Sequence, residues 1–144
     1  MTTNNILKLG LKIILPSELL IIDGIRFSGV AYIVASIDGI ILNSTQYFDD
    51  SFIVFEELLK STFETGRYLL FTSVSGIADS AGWSYIKVEH DAETIKWVIE
   101  IDDKVFNYCF EIDEYKLEVN RLKDEIEQLG DDISLEPQFV IYPE

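Results

Sequence analysis

Few residues of this sequence could carry nucleophilic chemistry. His90 is the one histidine, Cys109 the one cysteine, and Ser73, Ser75 and Ser80 punctuate a stretch that also holds Gly76 and Gly82. A serine nucleophile needs a general base within hydrogen-bond reach and a third group that orients that base. His90, followed by Asp91, is the available base, so a hydrolase built on one of these serines and His90 can be spelled from the letters. No Gly-x-Ser-x-Gly elbow occurs, however, and Ser75-Gly76 is more simply a turn. The stretch also lacks the lysine and the spacing of a phosphate-cradling loop. The chain therefore reads as a non-enzyme, with hydrolysis by Ser/His90 as an alternative.

Carboxylates are abundant, in the pairs Asp49-Asp50, Asp102-Asp103 and Asp131-Asp132 and in the Glu114 and Glu118 region. None has the alternating Asp/Asn ladder closed by Glu that a calcium loop requires. One histidine and one cysteine do not make a zinc set. No metal and no cofactor are expected. Asp49-Asp50 suits a helix N-cap and Asp102-Asp103 a hairpin turn, because Asp tolerates turn backbone angles.

The charge is more informative. With 11 basic against 26 acidic residues the net charge is -15, yet 48% of the chain is apolar, far too much for an acidic disordered tail. A folded surface must carry the acidity. That surface repels nucleic acid, and the cationic groove that accompanies base-stacking aromatics is missing, so Trp83, Tyr85, Trp97 and Tyr108 do not point to nucleic-acid binding. Trp97, Phe106 and Phe110 read as core. Trp83, beside Gly82, reads as an exposed anchor of the kind that dominates interface centres. Like-charge repulsion opposes compaction, and a cationic partner would offset it. Asp102, Asp103, Glu111, Asp113, Glu114 and Glu118 are the acids we assign to such a partner, through steering followed by occlusion.

The elements that would position these residues are legible from period. Leu7, Leu9, Leu11, Ile13 and Leu15 are apolar while Lys8, Gly10 and Lys12 are not, as in a half-buried strand ended by Pro16. Asp23-Gly24 and Asp38-Gly39 mark hairpin turns, and Val30–Ile37 reads as a central strand buried on both faces. Phe52, Phe55, Leu59 and Phe63 recur at helical spacing over 51–65. Strands follow over 67–74 and 83–89, separated by a loop at 75–82. Ile95, Trp97, Ile99 and Ile101 then alternate against Phe106, Tyr108, Phe110 and Ile112 as an antiparallel hairpin. Tyr115, Val119, Leu122, Ile126 and Leu129 form the stripe of a second helix over 113–129, and 139–142 reads as a short edge strand. The expected fold is a single α+β domain over 1–144: a twisted, mainly antiparallel sheet of about 6–8 strands with two packed helices.

The segment from 72 to 82, together with the aromatic hairpin and helix after it, resembles a family of small bacterial proteins. Members carry Thr-Cys-x-Cys-Gly-x-x-Gly-Cys-x-Gly at a strand end, then a Val-x-Trp element, an aromatic-rich strand and an acidic helix. Ser73, Ser75 and Ser80 stand at the three cysteine positions, Gly76 and Gly82 at two glycines, and Asp79 at the third glycine. Ile95 and Trp97 match the Val-x-Trp element, and Phe110 and Tyr115 the helix start. The resemblance covers about residues 68–120. With every cysteine replaced, a thiolate metal site or redox couple has lost its ligands. Some proteins of this build resemble cytosolic immunity proteins of contact-dependent or polymorphic toxin systems. The resemblance therefore implies an inhibitor of a basic toxin domain, possibly a nuclease. The rival is a homo-oligomeric interaction domain joined through 139–142. The single thiol and the absence of a positively charged leader or an unbroken apolar span lead us to expect a cytoplasmic protein, monomer or homodimer, away from membranes.

Overall fold

The structure, a computed structural model, describes residues 4–22, 24–42, 51–73, 85–101 and 103–137. The fold is α+β, with twelve strands and two helices among those residues. In chain order β1 (Leu7–Ile14) is followed by the hairpin β2 (Leu20–Ile22) and β3 (Ile25–Phe27), then β4 (Val30–Ile37) and β5 (Ile40–Ile41). Next come β6 (Ser51–Ile53), α1 (Phe55–Lys60), β7 (Gly66–Tyr68), β8 (Phe71–Ser73) and β9 (Ile86–His90). The long hairpin β10 (Thr94–Ile101) and β11 (Lys104–Glu111) leads straight into α2 (Ile112–Glu127), and β12 (Ser134–Glu136) comes last.

The strands divide into two four-stranded sheets and two short pairs, β2-β3 and β6-β8. One larger sheet runs β1-β4-β12 with β5 also on β4; the other runs β11-β10-β9-β7. Every ladder is antiparallel except β12 on β4. Among the described residues an isolated bridge between Asn5 and Phe110 links the strand edge before β1 to β11, and α2 packs against β1, β10 and β11. The Asp38-Gly39 turn forms as its letters suggest, with φ of 55° and 85°. Two consecutive positive φ values match the twist of the flanking strands, which is why this dipeptide recurs at such turns.

The main core lies between the sheets and α2. Leu58, Val88, Ile95, Ile99, Val119 and Leu122 are sealed there, and Trp97, Phe110 and Tyr115 form its aromatic centre. A second, smaller core of Ile14, Phe27, Val30 and Phe52 sits under the β2-β3 hairpin. It explains a departure from the expected alternation in β1. Leu7 and Leu9 face the main core, but Ile13 and Leu15 are exposed and Ile14 is buried instead, because the buried face changes sides where the hairpin takes over from α2.

The first helix is shorter than the 51–65 span that its spacing suggests. Ser51–Ile53 is strand, paired with β8, and the Val54 N–H donates to the Leu70 carbonyl. Val54 is the N-cap of α1 and offers no side-chain bond; of the cap expected from Asp49-Asp50-Ser51, Ser51 lies in β6, and Asp49 and Asp50 lie outside the described residues. Phe63, expected on its apolar stripe, is 73% exposed beyond its end. Tertiary pairing of Phe52 and Ile53 with Thr72 and Phe71 outcompetes helical propensity here. The run at 67–74 likewise splits into β7 and β8, which join different sheets. The strand expected at 139–142 and the loop at 75–82 lie outside the described residues; β12, which pairs with the start of β4, has no clear period in its three residues.

Candidate functional site

A buried hydrogen-bond chain fixes the centre of the molecule. Trp97 Nε1–H can only donate, and it does so to the Tyr115 hydroxyl oxygen at 3.1 Å. The Ser61 hydroxyl donates to the Leu58 carbonyl at 2.5 Å, so Tyr115 O–H donates to Ser61 Oγ at 2.6 Å. The Ser61 carbonyl in turn accepts from His90 Nε2–H at 2.7 Å. The chain ties β10, α2, the end of α1 and β9 together. Burial pushes the Tyr115 hydroxyl far above its ordinary value, so it stays protonated and acts as a relay of structure rather than of charge. Tyr115→Phe removes the acceptor of a buried indole N–H and is expected to cost about 1–2 kcal/mol. Urea titration measures this; an unchanged midpoint would show that the Trp97 N–H does not depend on Tyr115.

His90 is thus committed through Nε2 to a main-chain carbonyl, and its own N–H to Thr65 Oγ1. Asp91 does not orient it. Asp91 Oδ1 accepts the Glu93 and Thr94 N–H groups, and Oδ2 accepts the Thr94 hydroxyl. Those bonds, led by the Glu93 N–H, hold its carboxyl down to about 2. The pair His90-Asp91 therefore lacks the base-orienting contact of a triad. Ser73 is placed in β8 opposite Ser51. Ser75, Gly76, Ser80, Gly82 and Trp83 lie outside the described residues. Among the described residues no three His, Cys, Asp or Glu side chains converge as metal ligands would, and no helix is long and apolar enough to cross a membrane.

The acidic candidates separate into two groups. Glu111 is the N-cap of α2: its carboxylate accepts the Asp113 N–H at 3.2 Å and the Glu114 N–H at 2.7 Å. An anion at a helix N-terminus is favoured by the dipole as well as by the exposed N–H groups. Glu118 is also occupied. Its Oε2 accepts the Leu9 N–H at 2.6 Å, and Arg121 donates to both of its oxygens. Arg121, and after it the Leu9 N–H, hold the Glu118 carboxyl below the ordinary range. By contrast Asp113 and Glu114 are exposed, and among the described residues no group bonds to their carboxylates. Asp103 is exposed at a turn with φ of 62°, and Asp102 lies outside the described residues.

Three of these acids meet at one groove. A cavity of about 370 Å³ opens between β1 and α2, lined by Glu111, Glu114 and Glu118 on one side and by Ile6, Leu7 and Lys8 on the other. One end is closed by Asn5, whose N–H donates to the Cys109 carbonyl at 2.7 Å and whose Oδ1 accepts the Cys109 N–H at 2.8 Å. Glu118, in the same wall, ties α2 to β1 through the Leu9 N–H. Ile6 and Leu117, which flank the opening, are 54% and 72% exposed. Chemically this is an acidic slot with an apolar rim. It suits a cationic head on an aliphatic stem, as in arginine or lysine, rather than an anion. The sequence reading missed Ile6, Lys8 and Leu117. Leu117 carried a signal, since it is a large apolar residue off the buried stripe of α2.

The fold and the groove define a small α+β protein with an acidic recess. No protein-family model, curated protein or solved structure matches the chain.

Proposed function

We propose that the protein is an acidic binding module that neutralises a basic protein partner. In its fuller form the reading is an immunity-type inhibitor that seats a cationic segment of a toxin domain in the β1–α2 groove and covers that toxin's substrate surface. One observation carries it: the Glu114 carboxylate, which no group among the described residues bonds, lines the same groove as the capping carboxylate of Glu111, rimmed by the exposed Ile6 and Leu117. The net charge of -15 supplies long-range steering toward such a partner. The apolar rim supplies the desolvated contact that steering alone does not provide.

The test is capture by the immobilised protein from lysate of its own cells at low and high salt, with the eluted protein identified by mass spectrometry. A basic toxin domain released by salt is the expected result. Glu114→Lys should then raise Kd about tenfold, or ~1.4 kcal/mol, because it turns attraction into repulsion. Asp124→Lys makes the same charge change on an exposed position of α2 outside the groove lining and should have a much smaller effect. Equal losses in the two variants would move binding away from the groove, and recovery of the chain alone would overturn the reading.

A further inference from the structure

The edge of β1 that faces away from β4, which borders the groove at Leu7, presents main-chain groups of its own. Ile6 bonds toward β4: the Asp38 N–H donates to its carbonyl at 3.0 Å, and its own N–H donates to Asp38 Oδ1 at 2.8 Å. In an antiparallel ladder the direction of the main-chain groups alternates, so Leu7, Leu9, Leu11 and Ile13 point theirs outward. Four such rungs make a template for another strand. At Leu9 both outward groups are occupied by side chains of α2. Glu118 accepts the N–H, and Arg121 donates to the carbonyl. A carboxylate and a guanidinium one helical turn apart thus present the acceptor and donor that a neighbouring strand would present. Arg121 is held for this task by Glu118 and Glu125. At the far end of the strand Leu15 is closed by Glu18, whose Oε1 accepts its N–H and whose own N–H donates to its carbonyl. Among the described residues nothing pairs with the outward groups of Leu11 and Ile13, and Ile13 is exposed.

We propose that the Glu118–Arg121 pair is an edge guard: it occupies the central rung of β1 and keeps a second copy of this chain from adding its own β1. The second copy is the fitting occupant because the edge is self-complementary. Antiparallel pairing about Gly10 would set Leu9 against Leu11 and Leu7 against Ile13, so that all four rungs of each copy bond. Gly10 would face only Gly10 at the two-fold. Lys8 against Lys12 would oppose this pairing, as lysines on edge strands do, and with the guard in place Leu9 cannot bond Leu11 in either copy, which leaves only the two outer Leu7–Ile13 rungs.

The experiment is light scattering across a concentration series on the full chain, with far-UV circular dichroism as the folding check. The natural sequence is expected at its monomer mass of 16.5 kDa. Glu118→Ala/Arg121→Ala, which keeps helix-favouring residues in α2, is expected to show a concentration-dependent doubling of mass. Adding Ile13→Pro should return it to monomer, because that N–H points outward and its loss costs no bond to β4. A folded double variant that stays monomeric, a dimer unaffected by Ile13→Pro, or a natural sequence already dimeric through β1 would each overturn the proposal. Should the double variant unfold, Arg121→Ala alone decides: it frees the Leu9 carbonyl, and amide exchange at Leu11 and Ile13 must then slow as concentration rises, or the guard is refuted.

Discussion

Trp97→Ala should destabilise the protein by about 3–5 kcal/mol, the largest single effect we expect. Trp97 is 1% exposed and stands edge-on to three rings, Phe71, Phe110 and Tyr115, with centroids 6.3, 5.0 and 6.0 Å away. Truncation removes the indole from the middle of this cluster and leaves a cavity bounded by rigid aromatic walls that cannot collapse into it. It also removes the donor at one end of the Trp97–Tyr115–Ser61 chain. A domain of this size typically has about 5–15 kcal/mol of stability in total, so the variant would sit near its unfolding threshold. Equilibrium urea denaturation, followed by far-UV circular dichroism since the variant has lost a fluorophore, measures the difference. A loss under about 1 kcal/mol would mean that the aromatic centre is not what holds the two sheets to α2.

Glu118→Ala is expected to cost about 1.5–3 kcal/mol at neutral pH, the range for hydrogen bonds to a charged group. Glu118 is mostly buried, with its side chain 12% exposed, but Arg121 is 47% exposed, so solvent screens part of the pair and the lower half of the range is favoured. The pH dependence identifies the cause. The folded carboxyl lies below its ordinary value of 4.5 because Arg121 and the Leu9 N–H bond its charged form. The contribution is therefore complete above the unfolded value and is lost as pH falls through the lower folded value. The gap between the natural protein and Glu118→Ala should be constant from neutral pH down to about 5 and narrow below it. Urea midpoints at a series of pH values, taken at low protein concentration to avoid self-association, test this. A gap that does not change with acidification would assign the loss to packing rather than to the carboxylate.

Glu118 also shows how much of a carboxylate's role is hidden in the sequence. Its acidity and its helix suggest a partner-facing side chain, and the same reasoning groups Glu111 with it. Both acids instead bond main-chain groups of their own chain, one at a helix N-terminus and one on a strand edge. Glu111, Glu114 and Glu118 lie three and four residues apart, which places them on one helical face. That spacing was the available signal for the groove wall. Nothing in the sequence indicated that β1 would form the opposite wall, since Leu9 and Glu118 are 109 residues apart.

What the sequence determined alone rests on local periodicity. The β10–β11 hairpin, the α2 stripe of Tyr115, Val119 and Leu122, the central strand β4 and the Asp38-Gly39 turn are each dictated by neighbours within a few residues, through side-chain period or permitted φ. The net charge likewise needs no fold. Tertiary structure decided where long-range pairing competes with local preference. It made Ser51–Ile53 a strand rather than the start of a helix, turned Ile13 outward and Ile14 inward, and paired β12 in parallel with β4. It also decided which carboxylates stay free, because a carboxylate reveals in sequence only its charge, while the N–H group that will claim it is set by how the two sheets and α2 come together.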